Sequence, residues 1–355
     1  MFLTFFIAFA SLIGLMVIHE FGHFILAKKF GTDVEEFGIG YPPRIFGKKV
    51  GDTIYSLNLI PFGAFVRIKG ESGGIEDYRS FIGKPMWQRM AIVLGGVVSF
   101  WLVSIILLSV VAGAWGLPTA VSDEAEGLVD PKVKVYYLVP ESPAAQAGIE
   151  LGDTLLGFEK VSQVQNFVKE HAGEEVTLSV QRGGEIIEKE ITVRASYPEE
   201  EGAMGVGLTR VGLDKSAWYE APIVGIKATG ELTANIVSGW VMGLKSLFGV
   251  IELPAGMSMD LMGPVGIFNL LGEYFSMGVN YFLYLISLIA VALALANILP
   301  IPALDGGKIV FLAIEAIRGK PINSKIENRI TGTFFVLIIF LMIFVTIKFD
   351  IPRLF

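Results

Sequence analysis

Near the start of the chain, residues 15–26 read LMVIHEFGHFIL, placing His19, Glu20 and His23 inside an otherwise apolar run. Histidines spaced i, i+4 lie one turn apart on the same helix face. That spacing lets one divalent ion be gripped by both imidazoles, and a glutamate beside the first suits a general base. H-E-x-x-H on a helix is the pattern of zinc-dependent hydrolysis. Ionisable groups cost several kcal/mol within hydrocarbon and default there to function. A chance match with the three side chains pairing among themselves is the weaker reading.

A catalytic zinc needs three protein ligands and one open position. The 355-residue chain has no Cys, so any metal must be held by His, Asp or Glu. A third ligand at the metzincin spacing is missing, because Leu26 and Lys29 stand where Gly and His would be needed. Glu71 and Glu76 sit in a polar, Gly-rich stretch, and His171, the remaining histidine, lies in an acidic segment and reads as a solvated or groove-side residue. Asp305 is the better candidate. It closes the stretch NILPIPALDGG (297–307), where Pro300 and Pro302 break an apolar run. Irregular backbone at membrane depth is tolerated where it lines a cavity. Gly306 and Gly307 let the chain turn close to an ion. The competing reading of Asp305 is an ordinary acidic residue at a membrane exit.

These residues must be carried by membrane helices. The sequence is 53% hydrophobic, above the usual range for a soluble domain. Four long apolar runs predict transmembrane helices: 1–30, 87–117, 281–307 and 329–348. The first reads as a retained span rather than a cleaved signal, since the apolar run continues past Ala8-Phe9-Ala10 without a basic region before it. The stretch 228–251 carries Glu231, Asn235 and Lys245 and reads as an interfacial or re-entrant helix within 213–280. Basic residues gather in 31–86 and in the loop 308–328, which places both on the cytoplasmic side. The chain ends and the long acidic segment then lie outside. This topology also puts Asp305 at the depth of His19 and His23. No basic patch interleaved with aromatics appears, so nucleic acid is not an expected partner.

Residues 128–212 predict one inserted α+β domain. KVKVYYL (132–138), EVTLSVQ (175–181) and EIIEKEITVR (185–194) read as strands, with Arg182-Gly183-Gly184 as a hairpin turn. SPAAQAGIELGDTLL (142–156) has the short helix, turn and strand of a PDZ domain, SQVQNFVKEH (162–171) its second helix, and GVGLT (205–209) a closing strand. Such domains bind an extended peptide or a carboxyl terminus by strand addition. In the cytoplasmic loop, TIYSLNLIPFGAFVRI (53–68) predicts strands dipping into the membrane, with an exposed edge able to capture an unwound helix.

The whole pattern resembles the site-2 proteases, intramembrane zinc metalloproteases, of the bacterial regulator-of-sigma-E protease type. The resemblance rests on the motif around His19, Glu20 and His23, on NILPIPALDGG, on PFGAFVR (61–67), on MGPVGI (262–267) and on the PDZ-like segment. It implies one zinc ion bound by His19, His23 and Asp305, with Glu20 activating water. It implies that Asn297 holds substrate backbone. Strand addition at 53–68 adds the expectation that the edge containing Gly63, Phe65 and Val66 contacts substrate, the alternative being a plain cytoplasmic hairpin. The implied fold is an α-helical polytopic membrane protein with four transmembrane helices, a membrane-associated β-sheet and a single PDZ domain, where well-studied proteobacterial members have two. The implied setting is the bacterial cytoplasmic membrane. There the enzyme would cut transmembrane segments of anti-sigma factors or remnant signal peptides. The alternative is a catalytically inactive scaffold or a metal transporter with a PDZ module.

Overall fold

The computed structural model describes residues 2–71, 77–126, 128–182, 185–198, 201–251 and 262–353. In chain order the elements are α1 (Phe2–Lys29), β1 (Val34–Val50), β2 (Thr53–Ile68), α2 (Met86–Ala114), β3 (Leu117–Val121) and β4 (Val129–Leu138). There follow α3 (Pro143–Gln146), β5 (Thr154–Leu155), α4 (Val161–Glu170), β6 (Glu175–Arg182), β7 (Glu185–Thr192) and β8 (Val206–Asp214). The chain continues with α5 (Ala221–Leu247), α6 (Pro264–Met277), α7 (Val279–Ile298), α8 (Asp305–Arg318) and α9 (Ser324–Val345). Among the described residues four helices are long and apolar enough to cross a membrane: Phe6–Lys29, Met86–Ala114, Val279–Ile298 and Ser324–Asp350. The 27-residue α5 is not one of them.

The chain divides into two units. The first comprises Met1–Ile106, Leu261–Gly272 and Ile286–Phe355. Its sheet is made by β1 and β2 alone, yet it is more than a simple hairpin. Residues 36–39 register with 54–57 on one side and with 64–67 on the other, while 44–50 register with 53–58. The ribbon is thus folded twice, and Ala64–Ile68 forms an outer edge. Buried Glu36 holds the folded ribbon together, its carboxylate meeting the Ser56 hydroxyl and Arg44 at 2.7 Å each and Arg67 at 3.3 Å. Ala27, Val34, Ile68, Phe81, Ile92, Val93 and Leu312 form a buried cluster joining α1, the sheet, α2 and α8. Arg89 on α2 makes a two-pronged ion pair with Glu315 on α8, at 2.6 and 2.9 Å. In the MGPVGI stretch, the Gly263 amide donates to the buried Asp350 carboxylate at 2.8 Å, which anchors the start of α6.

Two features differ from the sequence reading. The prolines end α7 at Ile298, but the chain after Leu304 resumes as helix α8 instead of a loop. Its apolar residues repeat at helical spacing and face the buried cluster through Leu312, and Gly319 terminates it.

The second unit comprises Leu107–Asp260 and Glu273–Leu285. It contains a six-stranded sheet in the order β3-β8-β4-β5-β6-β7. Its sheet starts earlier than residue 128, because β3 pairs with β8 from Leu117↔Asp214 to Val121↔Arg210. The core is apolar, with Val133, Ala144, Leu155, Val164, Val180 and Ile191 almost fully buried. Helix α3 is capped by Ser142, whose side chain accepts from the Ala145 amide. Helix α4 has no cap from its own Lys160; instead Asp123 accepts from the Val161 and Ser162 amides at 2.9 and 2.7 Å. Arg210 ties the same loop down by donating to the carbonyls of Ser122, Ala125 and Glu159. The expected turn glycines Gly183 and Gly184 lie outside the described residues, but Arg182↔Glu185 closes the β6–β7 ladder.

Candidate active site

Helix α1 presents His19 and His23 on one face, as the spacing demands, with ring centroids 4.7 Å apart and nearly perpendicular. The two Nε2 atoms are 3.2 Å apart. Asp305, the first residue of α8, brings its Oδ2 to 3.3 Å from His19 Nε2 and 3.4 Å from His23 Nε2. Residues some 280 positions apart thus converge on one point, because the proline-broken segment between α7 and α8 delivers the carboxylate to the face of α1.

The tautomer of His23 follows from its surroundings. Its Nδ1 lies 2.8 Å from the Ile92 carbonyl, which can only accept, so Nδ1 carries a proton. That leaves the Nε2 lone pair of the neutral ring aimed at His19 and Asp305. Asp305 Oδ2 is buried and has no hydrogen-bond donor among the described residues. Three electron-rich atoms in mutual contact need a cation. A tetrahedral ion with bonds of about 2.0–2.1 Å separates its ligand atoms by about 3.3–3.4 Å, which matches the three edges of this triangle. The donor set, two imidazoles and a carboxylate, is one that zinc favours and leaves a fourth position open. The fixed ring of His23, held from behind by a carbonyl, is the arrangement that orients a metal-ligating histidine.

Helix α2 supplies the wall behind the imidazoles. Phe100 stacks on His19 with centroids 4.7 Å apart and planes 21° from parallel. At Gly96 a Cβ would fall onto His23 Nε2 and the His19 ring, so only glycine leaves room for this pair.

Glu20 points to the opposite wall, formed by the outer edge of β2. Its Oε2 accepts from the Val66 amide at 2.9 Å. Side chains and amides alternate along a strand, so the neighbouring Phe65 amide faces inward to the ladder, where Phe65 registers with Gly38. The edge residues singled out in the sequence are therefore not equivalent. Val66 turns its donor to Glu20; Phe65 stacks on Tyr41 at 6.2 Å; and Gly63, at φ +91°, sits against Met16 and Tyr41. Asn297 is near the end of α7, and its amide donates to the Leu293 carbonyl one turn back at 2.9 Å. His171 closes α4, its Nδ1 2.8 Å from the Phe167 carbonyl.

A cleft of about 260 Å³ opens beside Asp305, lined by Glu71, Pro302, Lys308, Glu327 and Asn328, with Lys308 paired to Glu71 across it. In the second unit a separate groove of about 300 Å³ runs between α4 and β8, lined by Val164, Val168, Met204 and Leu208.

Comparison with known proteins bears on this geometry. The family model described as peptidase family M50 matches residues 7–341. The chain belongs to peptidase family M50. This M50 peptidase is 35% identical to a putative zinc metalloprotease of Clostridium perfringens, over 96% of either chain. It is 29% identical to a putative zinc metalloprotease of Clostridium acetobutylicum, over 94% of its own length and 93% of that relative. It is also 26% identical to the zinc metalloprotease RasP of Geobacillus kaustophilus, over 98% of both.

Four contributors to the site were not singled out from sequence: Gly96, Phe100, the Ile92 carbonyl and the Val66 amide as partner of Glu20. Only Gly96 left a trace there, as half of a Gly-Gly pair inside an uninterrupted apolar run. Such small residues mark close helix approach in membranes.

Proposed function

We propose that this zinc metalloprotease is an intramembrane endopeptidase, hydrolysing peptide bonds within the transmembrane segments of other membrane proteins. The observation that carries the reading is the meeting of Asp305 with His19 and His23, the two histidines standing on a helix apolar enough to span a bilayer. His19, His23 and Asp305 hold the zinc, and Glu20 is the general base. Zinc in that position supplies Lewis-acid polarisation of the scissile carbonyl and acidification of water.

The chain's own groups perform the rest. Glu20 takes the proton of the attacking water and passes it to the leaving amide nitrogen, a role worth about 10²–10⁴-fold. A substrate helix hides its carbonyls in i→i−4 hydrogen bonds and must unwind first. The outer edge of β2 receives the unwound segment by strand addition. The Val66 amide, 2.9 Å from Glu20, is the edge donor nearest the base, so a strand added there lies within reach of it. Gly63 and Phe65 shape that edge, and Asn297 holds substrate backbone. Orientation follows from the basic loops: the site lies toward the cytoplasm, and the inserted domain and both chain ends lie outside, in a bacterial cytoplasmic membrane.

The inserted domain is a PDZ module whose groove between α4 and β8 takes an extended peptide or a carboxyl terminus. Anti-sigma factors and remnant signal peptides are the substrate classes that suit this architecture.

Glu20→Gln tests the core of the proposal. The variant binds one zinc per chain and cleaves single-span substrates at least about a hundred-fold more slowly than the parent. Full cleavage by Glu20→Gln, or zinc binding unaffected by Asp305→Ala, would overturn it.

A further inference from the structure

One face of the β4-β5-β6 sheet carries a polar row that the proteolytic reading does not use. Lys134 registers with Thr154 on β5, and Thr154 registers with Gln181 on β6, so the three side chains stand abreast on one face. Lys132, two residues along β4, shares that face. The opposite face at Val133 and Val135 is apolar core. The four polar residues line a small cavity of about 100 Å³, closed by Met277 and Tyr281. Ser276 also borders it, but its hydroxyl donates to the Glu273 carbonyl.

The charge in this cavity is unbalanced. Lys132 pairs with Asp130 at 2.8 Å. Lys134 has no carboxylate within ion-pair distance among the described residues; its ammonium lies 5.6 Å from the Tyr281 ring centroid. Burial, and then the nearby Lys132 charge, push the Lys134 pKa down. An anion in the cavity would remove both penalties. The location indicates which anion. Met277 and Tyr281 flank Val279, where a candidate membrane span begins, and an aromatic ring at such a point is characteristic of the headgroup layer. Anionic phosphates concentrate at that depth.

We propose that Lys132, Lys134, Thr154 and Gln181 form a phosphate site on the inserted domain, sized for a single phosphate group and filled by an anionic phospholipid headgroup or by free phosphate. The two ammonium groups neutralise the anion, while the Thr154 hydroxyl and the Gln181 amide donate to its oxygens. Such a site would fix the inserted domain at the membrane surface independently of its peptide groove.

The test uses the full chain in nanodiscs of phosphatidylcholine containing a minor fraction of phosphatidylglycerol. Native mass spectrometry counts retained phosphatidylglycerol for the parent, Lys132→Gln/Lys134→Gln, and Lys134→Arg. A second arm measures the melting temperature in detergent against inorganic phosphate, with chloride at matched ionic strength. The double variant should retain phosphatidylglycerol about thirty-fold less tightly, with Lys134→Arg close to the parent. Phosphatidylglycerol retained by the parent and not displaced by phosphate identifies the lipid as the source. Stabilisation of the parent, but not the double variant, by inorganic phosphate identifies free phosphate. Equal retention and equal phosphate response in parent and double variant overturn the proposal. So does displacement of the bound anion by a peptide with a free carboxyl terminus but not by its amide, which would assign the cavity to peptide. Substrate cleavage and zinc content, measured on the same samples, separate failure of this site from failure of the proteolytic reading.

Discussion

Replacing Val66 by Pro removes one amide proton and leaves a side chain of similar bulk. In the structure that proton is given to Glu20 Oε2 at 2.9 Å, and the alternation of amides along the edge turns it away from the β1–β2 ladder. The sheet therefore loses no internal bond, and an edge position tolerates proline. A hydrogen bond to a charged acceptor contributes about 1.5–3 kcal/mol net. Without it Glu20 is no longer held, and an added substrate strand loses its donor nearest the base. At 1.4 kcal/mol per decade the expected fall in kcat/KM is about 10–150-fold. Phe65→Pro is the contrasting perturbation. It breaks the ladder opposite Gly38 and removes the ring stacked on Tyr41, so it should lower the melting temperature as well as activity. Val66→Ala keeps the amide and should stay within about three-fold of the parent in activity, while the truncation of a half-buried side chain packed on the Ala27–Phe81 cluster costs about 1 kcal/mol of stability. The assay is cleavage of a fluorescently tagged single-span substrate by purified full-length protein, with zinc content and melting temperature measured in parallel. If Val66→Pro carries full zinc and cuts within two-fold of the parent, the edge of β2 neither positions Glu20 nor receives substrate.

Gly96→Ala places a methyl group against both imidazoles. Zinc content by plasma emission should fall below about a tenth of the parent while helical circular dichroism is unchanged; normal zinc loading would refute the close approach. Asp123 caps α4 from outside the helix. Burial raises its pKa, but the Ser162 and Val161 amides outweigh this and hold it below the usual aspartate value. A depressed folded pKa means the cap contributes fully above about pH 4 and fades as pH falls through the lower folded value. Asp123→Ala should therefore cost about 1 kcal/mol near neutrality, seen as faster hydrogen exchange at the start of α4, and the difference from the parent should shrink below pH 4. A difference that persists at low pH would mean the carboxylate charge is irrelevant. Leu155→Ala empties a fully buried position in the second unit and should cost about 2–5 kcal/mol, read by limited proteolysis between α2 and α5.

The helix carrying the candidate site is legible in the sequence because its information is local. The i, i+4 spacing of His19 and His23 fixes their common face whatever surrounds them, and an apolar context makes the polar groups conspicuous. Asp305 was legible for a related reason: two prolines and two glycines announce a backbone break, and the acid stands at its end. What could not be read belongs to contacts between distant segments. The double folding of β1 and β2 depends on Glu36 meeting Ser56 and on which stretch of β2 each residue of β1 selects. Alternating hydrophobicity fixes the faces of a strand but not its partners. Helix α8 is hidden in the sequence because Lys308, Arg318 and Lys320 mark the stretch as a basic loop, and its short length gives no apolar run. The early start of the six-stranded sheet was missed because Leu117–Val121 follows an apolar helix without a compositional break.

Bringing two imidazoles and a carboxylate together against an apolar helix poses a problem of space as much as of charge. Imidazoles on α1 can meet a carboxylate from α8 only if the wall behind them recedes. The sequence solves this with small residues on both facing helices. A Cβ at Gly22 would strike the Gly95 backbone, and one at Gly95 would meet Gly22 in return, so α1 and α2 touch main chain to main chain next to His23 and within a turn of His19. That contact brings the Ile92 carbonyl to His23 and Gly96 beneath both rings. In hydrocarbon such approach is favoured by packing rather than by exclusion of water. The consequence is that the glycines do not merely permit the site. They set the distance between α1 and α2, which fixes the tautomer of His23, which in turn directs Nε2 at Asp305. The geometry of the candidate site is therefore specified as much by absent side chains on α2 as by the three polar ones on α1.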